Sequence, residues 1–207
     1  MSRFSGRARR AERGQGLVEF TLVMPIFLIL LAGMLEFGLA FSDRLTMGNA
    51  TREGARIGAA MATGNDTSCS GDPGGVDTTV IASVQNILKS GGSDVNLSRI
   101  TNIRIYKATS SGAPAAGKVN TWTYTPGSGP DADPDTGVEI LDFSPSSTGW
   151  AACTRVNTTG SADSLAVSIT YVYHLQTPLA GLLTLVGGNQ AATIPIVDTT
   201  IMALNPT

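Results

Sequence analysis

Charge is scarce in this chain. Only 14% of its 207 residues are charged, and none lies between Phe20 and Leu35. Lysine occurs three times, too seldom for a broad nucleic-acid surface, which needs many phosphate-neutralising cations. One histidine and two cysteines cannot make a zinc site of the usual four-ligand spacing. His174, the only histidine, sits beside Tyr173 in a strand-like alternation and reads as a packed or surface residue. The chain has no G-x-S-x-G and no phosphate-cradling glycine loop, the motifs that place a nucleophile or hold a nucleotide. These gaps predict a protein that is not an enzyme and needs no cofactor.

What the chain has instead is one long apolar stretch. From Leu17 to Phe41 it is apolar apart from Glu19 and Glu36 and a few small or hydroxyl residues. About 20 such residues cross a bilayer core as a helix. Arg3, Arg7, Arg9, Arg10 and Arg13 precede it, against one acid, Glu12, which gives residues 1–14 a charge of +4. With a net charge of −2, the remainder carries −6. Such asymmetry predicts a cytoplasmic N-terminus, touching anionic lipid, and an extracytoplasmic remainder. A conventional cleaved signal peptide fits less well, since the stretch is long for one and no A-x-A site follows. A carboxylate at Glu19 costs on the order of 3 kcal/mol if deeply buried in lipid, so it calls for a partner or for snorkelling to the headgroups. Glu36 lies near the opposite interface, where snorkelling is the expectation.

No helix-stop signal follows until Gly64-Asn65-Asp66, so one continuous helix is predicted from about Gln15 to Ala62. Pro25 should kink it by removing the bond to the Thr21 carbonyl, with the Thr21 hydroxyl close enough to help. Ala50, Gly54, Gly58 and Ala62 recur every four residues. That spacing forms a groove for close packing, either against another helix or against the chain's own sheet.

Beyond the helix, Asp77 to Lys89 reads as a short amphipathic helix with Asp77 as N-cap, ended by Gly91-Gly92. Strands are expected at Ile100 to Lys107, at Val119 to Pro126, at Val138 to Phe143, and at Ser164 to Leu175, with Leu165, Val167, Ile169 and Tyr171 on one face. Residues 176–188 suit a short helix or an apolar loop, and Ala191 to Leu204 a final strand bent or placed at an edge by Pro195. The expected fold class is α+β: a long N-terminal transmembrane helix continuing into a small extracytoplasmic domain with an antiparallel sheet. The segments are 1–14, a basic leader; 15–63, the helix, in the membrane to about residue 41; and 64–207, the outer domain.

Cys69 and Cys153 form an even pair, for which a disulfide is the default outside the cytoplasm; two unpaired buried thiols are the other reading. Asp131, Asp133, Asp135, Glu139 and Asp142 fall at positions 1, 3, 5, 9 and 12 of a calcium-loop pattern. Gly137 stands one position late and Pro134 restricts the turn, so a solvated acidic loop is the expectation and Asp131, Asp133 and Asp135 are a weak metal candidate.

Gly14, four residues, then Glu19-Phe20 resembles the G-x-x-x-x-E-[YF] processing site of the tight-adherence branch of type IV pilins. "LVEFTLVMPIFLILLAGMLEFG" and "ATREGAR" resemble the TadE-like pilus-assembly proteins over residues 12 to 62, the C-terminal end more loosely. The resemblance implies cleavage after Gly14 by a prepilin-type peptidase, with Gln15 the new N-terminus. It also implies pairing of the Glu19 carboxylate with a neighbouring subunit's α-ammonium. The partners implied are other pilin-like subunits and the assembly platform. The expected role is that of a minor pilin or pseudopilin; the alternative is a membrane-anchored extracytoplasmic binding domain outside any filament.

Overall fold

The computed structural model describes residues 8–61, 69, 72, 75–90, 95–131, 140–188 and 192–205, with no account of the side chains of residues 8–13, 182 and 186. Helix α1 runs Ala8–Ala60. It therefore starts inside the segment read as a leader, because Ala8-Arg-Arg-Ala-Glu-Arg is built of strong helix formers. Pro25 lies within it. The Thr21 hydroxyl donates to the Leu17 carbonyl at 2.8 Å, one turn earlier, and so does not relieve the carbonyl that Pro25 leaves unpaired.

Two compact units divide the chain. Residues 1–40 join 174–193, and residues 41–173 join 194–207. The anchor thus acquires a second segment, which the sequence had assigned to the outer domain.

In the larger unit, α2 (Val76–Lys89) precedes strands β1 (Ile100–Ala108), β2 (Pro114–Tyr124), β3 (Phe143–Thr148), β4 (Ser164–His174) and β5 (Thr193–Ala203); the short helix α3 (Leu179–Gly187), between β4 and β5 in sequence, belongs to the smaller unit. The sheet order is β3-β2-β1-β4-β5, and β1 lies antiparallel between β2 and β4. Side chains two apart share a sheet face, so Leu165, Val167, Ile169, Tyr171 and Tyr173 of β4 point together, and all are fully buried. Val80, Ile81, Val84 and Leu88 of α2 are buried likewise, as are Met47, Ala50 and Ala55 of α1. Ala166 and Ser168 on the other face of β4 are also fully buried, which simple alternation does not predict. The third strand of the sequence reading shifts: β3 starts at Phe143 and pairs with β2 from Asn120↔Thr148 to Tyr124↔Phe143. Pro145 lies in that edge strand, where a missing N–H is tolerated.

Asp77 does not cap α2. Gly75 occupies the N-cap with φ 65°, and the Asp72 carboxylate accepts the amides of Asp77 and Thr78, both at 2.9 Å. Asp77 turns inward instead. Its Oδ1 meets Arg155 Nη2 at 2.6 Å, with both side chains buried. Asn120 Nδ2 donates to its other oxygen at 2.5 Å. Burial pushes the Asp77 carboxyl up, while the Arg155 guanidinium pulls it down. Arg155 also lies over the Trp150 ring at 4.7 Å from its centroid. Removing one member of such a buried pair typically costs about 3–5 kcal/mol. The Cys69–Cys153 disulfide closes the same corner, with Cα atoms 6.4 Å apart and the two cysteines 84 positions apart in sequence. A loop of that length is worth about 4–5 kcal/mol through restriction of the unfolded chain.

Candidate functional site: the anchor helix

From Phe20 to Leu35, α1 is apolar around its whole circumference apart from one threonine. Leu17, Phe20, Leu22, Ile26, Leu30, Met34 and Phe37 are each at least 60% exposed, and none of its most apolar eighteen residues is buried. A soluble protein would hide such a helix in its core. A helix apolar all round and uncovered needs an apolar medium, and this one is long and apolar enough to cross a membrane.

At its start, Gly14, Gln15, Glu19 and Phe20 are all exposed. A Cβ at Gly14 would meet nothing within 4 Å. Gln15 Nε2 donates to Glu19 Oε1 at 3.1 Å, one turn along. Gly14 is helical here and exposed. Gly14 and Gly16 make these turns easier to unwind, since each glycine weakens a helix by up to about 1 kcal/mol.

Glu36 departs from expectation. It does not snorkel: only 6% of it is exposed, and its two oxygens accept the amides of Gln176 at 2.9 Å and Thr177 at 2.8 Å. These amides lie just ahead of Pro178, the N-cap of α3, so the carboxylate satisfies two backbone donors of the chain entering that helix and stands near the positive end of its dipole. No local signal pairs residue 36 with residue 176, so sequence reasoning missed this contact.

The small-residue groove lies in the other unit. A Cβ on Gly54 would stand 2.7 Å from Val84 Cγ2, and one on Gly58 3.0 Å from Leu165 Cδ1. Gly54 and Gly58 therefore seat the chain's own α2 and β4, and Ala50 is fully buried. Ala62 lies outside the described residues. Polar contacts flank the groove: Thr51 Oγ1 donates to Asp198 Oδ1 at 2.7 Å and lies 3.0 Å from Thr200 Oγ1. The Tyr171 hydroxyl donates to Asp43 at 3.1 Å. Burial, then the Asp43 charge, push that hydroxyl's pKa up.

Of the acidic loop, Asp131 forms an isolated bridge with Ile140, while Asp133 and Asp135 lie outside the described residues. Among the described residues no group of acids, histidines or cysteines is placed to hold a metal ion.

No curated protein and no solved structure matches the chain. Residues 14–56, from the glycine ahead of the apolar stretch to the arginine that pairs with Glu53, match the family model for TadE-like protein, so the long helix is similar to that family and the match supports a pilus-associated protein.

Proposed function

We propose that this chain is a structural subunit of a tight-adherence pilus, of the minor-pilin or pseudopilin kind, cut after Gly14 and held in the cytoplasmic membrane by α1. Its N-terminus is cytoplasmic and its sheet extracytoplasmic; its partners are pilin-like subunits, the assembly platform and a prepilin-type peptidase. It initiates, caps or assists a filament and turns over no substrate. The observation that carries this reading is the uncovered apolar helix with an exposed Gly14-to-Phe20 segment at its head. That arrangement leaves the scissile backbone accessible. It also leaves Glu19 exposed, free to meet the new α-ammonium of a neighbouring subunit. Opposite charges brought together in an apolar setting cost far less than either alone. The outer domain's size favours a minor over a major subunit.

N-terminal sequencing of the protein from its own host tests the reading. A mature chain beginning at Gln15, and a longer membrane-retained precursor for Gly14→Leu, are expected. Normal processing of Gly14→Leu would remove the basis of the proposal.

A further inference from the structure

We propose that α3 is a second membrane element: a short helix inserted into the outer leaflet beside α1, its occupant lipid acyl chains. The inference rests on the reading of α1 as a membrane span. Four observations carry it.

The first is position. Leu179 Cδ1 lies 4.0 Å from where a Cβ of Gly33 would stand. A cleft of about 460 Å³ between α1 and the start of α3 is lined by Leu28, Ile29, Leu31, Ala32, Leu35, Pro178 and Leu179. These α1 residues belong to its charge-free stretch, so α3 begins at a depth where α1 itself faces lipid.

Composition is the second. From Leu175 to Val197 the chain contains no charged residue. Leu185 is 84% exposed and Leu183 40%, outward-facing leucines that water disfavours and lipid accepts.

The third is closure of the backbone, which hydrocarbon demands. The Gln176 and Thr177 amides end on Glu36. Ala180 N donates to the Thr177 carbonyl and Leu175 N to the Ala192 carbonyl, both at 3.0 Å. Even the Thr184 hydroxyl turns back, onto the Gly181 carbonyl at 3.0 Å.

The fourth is length. Nine residues rise about 14 Å, roughly half of a hydrocarbon core of about 30 Å. Such a helix reaches into one leaflet without crossing it. Glu36 is then the polar closure that lets the second element leave water.

Site-directed spin labelling of the full chain in vesicles of phosphatidylethanolamine and phosphatidylglycerol tests this. Leu185→Cys carries the label; the native cysteines are bonded to each other. Leu28→Cys serves as the lipid reference and Ser147→Cys, on exposed β3, as the aqueous one. The label at 185 is expected to collide freely with oxygen and several-fold less with a water-soluble nickel chelate than the label at 147, matching the label at 28. Nickel access at 185 equal to that at 147, with 28 still in lipid, overturns the α3 proposal and leaves the anchor standing. Nickel access at 28 as well overturns the anchor reading and this inference with it. A label at 185 immobilised and shielded from both reagents overturns it in favour of packing against another subunit.

Discussion

The carboxylate of Glu36 and the backbone amide of Thr177 meet at 2.8 Å across 141 residues of sequence. A charged acceptor holding two successive backbone amides is among the stronger hydrogen-bond arrangements. Its loss leaves those donors unsatisfied, at about 1–3 kcal/mol each. Glu36→Ala is therefore expected to raise amide hydrogen exchange across residues 176–187 while α2 and the sheet keep their protection. Glu36→Gln, which retains an acceptor, should show a smaller rise. Wild-type exchange in Glu36→Ala would mean that α3 is held by apolar contact alone.

Glu19 offers a test of assembly separate from one of processing. Replacing it by Gln keeps the shape and removes the charge. In a pilin-like assembly a neighbour's ammonium would lose its counter-charge, at a cost of about 3–5 kcal/mol, enough to shift association by two or more powers of ten. Glu19→Gln should be cut and inserted normally, yet be missing from the piliated fraction. Wild-type piliation by this variant would reduce Glu19 to a carboxylate solvated at the headgroups.

The glycines of α1 should not respond alike to alanine. At Gly54 a new Cβ stands 2.7 Å from Val84 Cγ2. Overpacking of this kind costs about 1–3 kcal/mol, more than the helix-propensity gain of up to about 1 kcal/mol. At Gly48 the nearest atom is Asp198 Oδ2 at 3.6 Å, an ordinary contact, so the propensity gain survives. Thermal unfolding should show Gly54→Ala below wild type and Gly48→Ala at or above it. The reverse order would contradict the packing described.

Acid should weaken the corner where α2 ends. Lys89 Nζ lies 2.7 Å from Asp142 Oδ2, and the Gly127 amide donates to Oδ1 at 2.8 Å. The Lys89 hydrogen bond, helped by the Gly127 amide, holds the Asp142 carboxyl below its ordinary value. A depressed folded pKa adds stability that is full above the unfolded value of about 3.9 and is lost as pH falls through the folded one. Asp142→Asn should therefore cost about 1 kcal/mol at neutral pH. The gap from wild type should close as pH drops below about 4, read from denaturant midpoints. A gap independent of pH would show that the Asp142 charge contributes nothing.

Some of this architecture is a local property of the chain, and those parts were legible. Whether Leu17 to Phe41 prefers lipid depends on its own side chains and on the arginines before it. Local preference likewise marks the alternating residues of β1 and β4 and the periodic ones of α2. β3 was placed too early because "FSPSST" carries almost no apolar signal; it is a strand because β2 offers it an edge.

The partners of the polar residues were decided only in three dimensions. Asp77 looked like a helix cap. Asp72, brought round by the preceding loop, took that role and left Asp77 to Arg155, 78 residues away. Glu36 looked like a carboxylate reaching for water, and it closes a helix start contributed from the far end of the chain. An apolar residue needs only to leave water, and any nearby apolar surface will serve, so its fate can be read from its neighbours in sequence. A buried charge needs a particular atom at hydrogen-bonding distance, and which residue supplies that atom is set by the folded topology.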